Sequence, residues 1–108
     1  MKRQSIPSEV KQQAEQIIAR FNKRKLVWRR SYYEPRWRGD FLFLDRVDHG
    51  AKSQICRLKY TGDIRKWSFA IFKYSTERYD PNERWFPGSE YVDGTIEGAM
   101  KAGMRAYS

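Results

Sequence analysis

Apolar residues near the start of the chain recur with a helical period. Val10, Ala14, Ile17, Ile18 and Phe21 fall at i, i+4, i+7, i+8 and i+11, one face of an α-helix. A helix is therefore expected over about 6–22, with Lys11, Gln12, Gln13, Glu15, Gln16 and Arg20 mainly toward solvent. Ser5 or Ser8 is placed to cap it, and Pro7 is compatible only with its first turn. A second helical stripe, Ile96, Met100, Met104 and Tyr107, predicts a helix over about 94–107 capped by Asp93 or Thr95. Gly98, Ala99, Ala102 and Gly103 make that segment a weak helix former, so close packing must hold it.

Between these stripes the period falls to two. Strands are expected over about 26–33, 40–47, 53–60 and 66–74, the last three separated by Asp48-His49-Gly50 and Thr61-Gly62-Asp63 turns. The first strand has no purely apolar face, which suits a sheet edge, and Pro35 is expected to end or bend it. In the third, alternation groups Gln54, Cys56, Leu58 and Tyr60 against Ile55, Arg57 and Lys59. In the fourth, Trp67, Phe69 and Ile71 oppose Ser68, Ala70, Phe72 and Tyr74, and the small Ser68 and Ala70 are expected to admit a helix. Residues 75–92 read as a long connection carrying Tyr79, Trp85, Phe86 and Tyr91, which would cover part of the face opposite the helices or contact a ligand.

The pattern implies one α+β domain spanning 1–108, in the order α-β-β-β-β-α, with an antiparallel sheet and two helices packed on one face. A hydrophobic content of 40% supports a folded core rather than disorder. No apolar run is long enough to cross a membrane, and the early cations are not followed by the apolar stretch of a secretory signal. The single Cys56 excludes an internal disulfide and cysteine-rich zinc sites, and a small buried hydrophobe is its expected role. A cytoplasmic location follows as the expectation.

Charge then changes the picture. The chain carries a net +9, and the segment Arg20–Arg38 supplies most of it, with eight Lys or Arg against the single carboxylate of Glu34. Phe21, Trp28, Tyr32, Tyr33 and Trp37 are threaded through it. Clustered cations bind phosphates and release counterions, while indole and phenol rings stack on unpaired bases. The candidate nucleic-acid contacts are Lys23, Arg24, Lys25, Arg29, Arg30, Arg36, Trp37 and Arg38, with Trp28 and Tyr33 as further stacking candidates. Part of the segment also has a plain structural reading. Lys23-Arg24-Lys25 suits a helix C-terminus, and cations on an edge strand discourage edge pairing.

No nucleotide-binding, hydrolase or metal motif is present, so no cofactor, metal or catalytic residue is expected. His49 beside Asp48 reads as a turn histidine, and Asp80-Pro81-Asn82-Glu83 lacks the full ligand pattern of a calcium loop. The expectation is a non-catalytic nucleic-acid-binding protein, with RNA ahead of DNA and no membrane partner. The alternative is a protein-interaction module or homodimer whose aromatics are buried and whose cations only solubilise.

From Gly39 onward, the runs GDFLFLDR, ICRLKYTGD, FAIFKYS, RYDPNE, WFPGSE and VDGTIEGAMKAGMRAY resemble a group of small bacterial proteins without an assigned activity. That resemblance implies no functional residue. The helix–strands–helix order is also similar to double-stranded-RNA-binding domains, although Gly94-Thr95-Ile96-Glu97 lacks the basic helix start of that family. The strands followed by TIEGAMKAGMRAY look like plant-type domains that read DNA from a sheet. That likeness implies exposed sheet contacts at Arg57, Lys59 and Trp67.

Overall fold

The stripe that ends at Phe21 continues further than its period suggests. A computed structural model describes residues 6–107, with helix α1 at Ser8–Phe21. Ala14, Ile18 and Phe21 are buried, and Val10 and Ile17 pack against the same core. Pro7 occupies the cap position, and no side chain caps the helix: Ser8 is its first residue, while Ser5 lies outside the described residues.

Beyond Phe21 the chain stays helical, through a π-helical turn at Asn22–Leu26 and a 3-10 turn at Val27–Arg29. The strand expected from residue 26 therefore begins only at Ser31. Burial explains the difference. An α-helix would carry Leu26 about 140° round from Phe21, whereas the wider i→i+5 turn returns Leu26 to the core, where it is fully buried. Arg30 then reverses the chain in the left-handed region, at φ 51°.

The sheet is an antiparallel meander of five strands in sequence order: β1 Ser31–Arg38, β2 Phe41–Asp48, β3 Ala51–Lys59, β4 Ser68–Lys73 and β5 Arg78–Asp80. The fifth strand lies within the segment expected to be irregular. Pro35 neither ends nor bends β1 out of the sheet; it pairs with Leu44 in register. The Tyr33 peptide points away from β2, because its N–H and C=O bond the Asn22 side chain. Pro35, two residues on, shares that outward direction, so its missing N–H interrupts no ladder bond.

Strand β3 departs from strict alternation. Pairing with β2 passes from Leu44↔Cys56 to Asp45↔Gln54, leaving Ile55 as an extra residue. The bulge sends both Ile55 and Cys56 into the core and turns Gln54 to the opposite face.

Both helices cover one face. Helix α2, Ile96–Ala106, starts at Thr95, whose side chain accepts from the Gly98 N–H at 2.9 Å. It packs on α1 and β3, and α1 packs on β1. The shared core includes Ile18, Phe21, Leu42, Leu44, Leu58, Ile71, Ile96 and Met100. The small residues of α2 permit this approach: a Cβ on Gly103 would lie 2.5 Å from Ile55 Cγ2 and from Tyr33 Oη. Buried Arg46 reaches across to the same helix, donating to the carbonyls of Gly103 and Tyr107 and pairing with Asp48 at 3.0 Å.

After β5 the chain returns to the helical side rather than crossing the other face. Phe86 stacks on Phe69 at 5.9 Å, and Gly88 abuts Ala102 of α2. Ser68 and Ala70 admit no helix, because their face of β4 is the one opposite the helices. Among the described residues no helix is long and apolar enough to cross a membrane.

Candidate nucleic-acid interface

The sheet face without helices is built by alternation. Leu42 and Leu44 enter the core, so Phe41, Phe43 and Asp45 face the other way. Cross-strand register then places two rows beside each other. One runs Arg36, Phe43, Arg57, Ala70; the next runs Arg38, Phe41, Lys59, Ser68. Each row therefore alternates cation, aromatic ring and cation, and ends on a small residue of β4.

Contacts within the rows are close. The Arg36 guanidinium lies 4.5 Å from the Phe43 ring centre, and the Arg57 guanidinium lies 4.6 Å from that of Phe41. Tyr79 of β5 joins them, with its ring 5.2 Å from Phe43 and 4.9 Å from Phe72. Its hydroxyl accepts from Gln54 Nε2 at 3.2 Å and from Arg36 Nη2 at 3.3 Å. Burial raises the Tyr79 phenol above its ordinary value, and those donors oppose the shift. The Gln54 contact exists only because the bulge turned that side chain onto this face.

Charge on this face is not internally cancelled. Asp45, only 3% exposed, is held by Arg36 through bonds of 3.0 and 3.2 Å, and Glu34 pairs with Lys52 at 2.7 Å. The Asp45 hydrogen bond pushes the Arg36 guanidinium still higher than usual, against the effect of its partial burial. Among the described residues, Arg38, Arg57 and Lys59 have no carboxylate within ion-pair distance. Guanidiniums fixed over rings give flat cationic surfaces that can both stack and bind phosphate.

The basic stretch itself is dispersed. Arg36 and Arg38 reach the open face. Arg24 and Lys25 border a recess between α1 and α2 with Arg20, Glu97 and Lys101, and Lys23 is exposed on the same π-helical turn. Trp28, Arg29 and Arg30 line a separate cavity where β1 begins. Of the stacking candidates, Tyr33 is buried and Trp37 turns to the helical side, where it is only partly buried. Tyr33 is 1% exposed and donates to the Met100 carbonyl at 2.7 Å, and burial raises its phenol well above the usual range. Trp37 faces α1, donates to Glu15 Oε2 at 3.1 Å and lies beneath Lys11. Trp28, by contrast, is 90% exposed.

Arg57 and Lys59 stand on the open face as the sheet-reading likeness implies, but Trp67 does not. Trp67 is buried against Tyr60, with its indole N–H donated to the Ile64 carbonyl. The residues that composition alone passed over are Phe41, Phe43 and Tyr79. The run Phe41-Leu42-Phe43-Leu44 is apolar on both faces, and only the unusual absence of polar alternation marks it. No family model, curated protein or solved structure matches the chain.

Proposed function

We propose that this protein is a non-catalytic nucleic-acid-binding protein that holds an unpaired strand, RNA ahead of DNA, across the uncovered sheet face. The observation that carries this reading is the register placing Arg36–Phe43–Arg57 beside Arg38–Phe41–Lys59 on that one face. Neighbouring strands lie about 4.8 Å apart, so the cations of each row flank a ring at a reach suited to backbone and base together. A base edge inside a duplex offers no ring face to such a surface, whereas an unpaired base does. The small Ala70 and Ser68 leave the β4 side of both rows low.

Self-association through this face is the weaker reading. A twofold interface would set a patch carrying Arg38, Arg57 and Lys59 against its own copy, cation against cation. The test is a fluorescence-anisotropy titration of labelled single-stranded RNA, single-stranded DNA and duplex DNA at low salt. The expected order is RNA, then single-stranded DNA, then duplex, with the triple variant Arg38→Gln, Arg57→Gln, Lys59→Gln losing at least tenfold. Unaltered affinity in a folded triple variant would remove the sheet face, and no binding to any oligonucleotide would end the proposal.

A further inference from the structure

At the opposite end of β1 lies a second concavity that the sheet face does not use. It is an open recess of about 630 Å³ between the 3-10 turn and the β2–β3 turn. One backbone bond joins its walls, His49 N–H to the Arg30 carbonyl at 3.3 Å, while Arg30 N–H closes the 3-10 turn on the Val27 carbonyl at 3.2 Å. Arg30 and His49 both sit in the left-handed region, at φ 51° and 52°. At His49, followed by Gly50 at φ 86°, this is the two-residue turn joining β2 to β3, and at Arg30 it ends the 3-10 turn.

The floor is electrostatically closed. Asp48 accepts from Ser31 at 2.6 Å and from Arg46 at 3.0 Å, and Arg46 also donates to the end of α2. The walls are not. Arg29 and Arg30 have no carboxylate within ion-pair distance among the described residues; Arg29 makes only a 3.9 Å contact to Met104 Sδ. Trp28 stands beside them with its indole almost fully in solvent. An indole with its faces in solvent is free to stack on a planar ring.

Two free guanidiniums match a charge near −2 better than the single charge of an internal phosphodiester. A phosphomonoester carries about −1.5 to −2 near neutral pH, and guanidiniums bind its oxygens through paired, charge-assisted hydrogen bonds. The cavity is of the size that small-molecule sites occupy. From these features we infer that the corner binds a nucleoside monophosphate, with Trp28 stacked on the base and Arg29 and Arg30 on the terminal phosphate. The same chemistry is presented by a free nucleotide and by the phosphorylated end of a strand. The strand-end form rests on the sheet-face reading; the free-nucleotide form does not. Ser31 and Arg36 are five residues apart, so the two sites lie about 17 Å apart along β1.

The experiment follows tryptophan fluorescence of the full chain titrated with AMP and with adenosine. AMP is expected to quench with at least tenfold tighter binding, and Trp28→Phe is expected to abolish the quench while Trp37, Trp67 and Trp85 still emit. The double variant Arg29→Gln, Arg30→Gln should erase the difference between the two ligands, with an unchanged urea midpoint certifying its fold. Equal binding of AMP and adenosine, or a quench that survives in Trp28→Phe, would overturn the assignment. In a second arm, a 5′-phosphorylated oligonucleotide is compared with its 5′-hydroxyl form. A preference of threefold or more that Arg29→Gln, Arg30→Gln removes assigns the strand end; none, with AMP selectivity intact, assigns the free nucleotide. AMP selectivity that persists in the sheet-face triple variant keeps the corner even if the sheet fails.

Discussion

The side-chain amide of Asn22 bonds both polar groups of the Tyr33 peptide, accepting from its N–H at 2.7 Å and donating to its C=O at 2.9 Å. Asn22 thus stands where a neighbouring strand would stand. With Pro35 removing the next outward N–H, the exposed edge of β1 offers little to an incoming strand.

Replacing Asn22 with Ala removes both bonds and leaves a partly buried peptide unpaired. A loss of about 1–3 kcal/mol is expected, read as a lower urea midpoint. Sedimentation should also show concentration-dependent self-association. An unchanged midpoint would mean water replaces the amide without cost.

Gly103→Ala sets two effects against each other. Alanine favours a helix interior by about 1 kcal/mol over glycine. The added methyl, however, would lie 2.5 Å from Ile55 and from the Tyr33 hydroxyl, which is itself bonded to Met100. Overpacking of this kind costs about 1–3 kcal/mol. The melting temperature is therefore expected to fall, and a rise would show that α2 can back away from the sheet.

Asp48 gives the protein an acid-sensitive contribution. Burial raises its carboxyl, but hydrogen bonds from Ser31 and Arg46 and the charges of Arg46 and Arg29 outweigh that and hold it below 3.8. The unfolded chain therefore takes up the proton first as pH falls. The stabilisation is complete above the ordinary value and is lost as pH drops through the folded one. Asp48→Asn should destabilise at neutral pH and converge with the native protein in strong acid, as followed by urea midpoints across pH. Parallel curves over the whole range would show that the charge contributes nothing.

Salt dependence measures how many cations work. If six of the eight cations of Arg20–Arg38 met phosphates of a single strand, the log–log slope would be about −4. The fold brings only Arg36 and Arg38 of that stretch to the open face, and Arg36 is tied to Asp45. With Arg38, Arg57 and Lys59 as the free contacts, a single strand should give a slope of about −2. Isotherms between low and physiological salt decide this, and each Gln replacement should flatten the slope. A slope as steep as the first figure would bring Lys23, Arg24 and Lys25 into the interface.

Local periodicity determined the helical stripes Val10–Phe21 and Ile96–Tyr107, the three central strands, the α+β class and the placing of the helices on one face. These are legible because a helix or strand must present a repeating apolar face to any core. A cap at Asp93 or Thr95 was legible for the same reason, being an interaction across one turn, and the structure selects Thr95. Tertiary structure decided the rest. Phe41 and Phe43 alternate with equally apolar Leu42 and Leu44, so only the docking of α1 and α2 selects which pair is covered. Ile55 and Cys56 enter the core together because a bulge displaces Gln54, and a strict period of two cannot express an inserted residue. Pro35 is tolerated because no strand lies outside it, a fact of sheet order rather than of propensity. The basic stretch is continuous in sequence, yet a π-helical turn, a left-handed Arg30 and strand alternation send its side chains to separate surfaces. Clustering of charge was a property of the chain; its direction came from the fold.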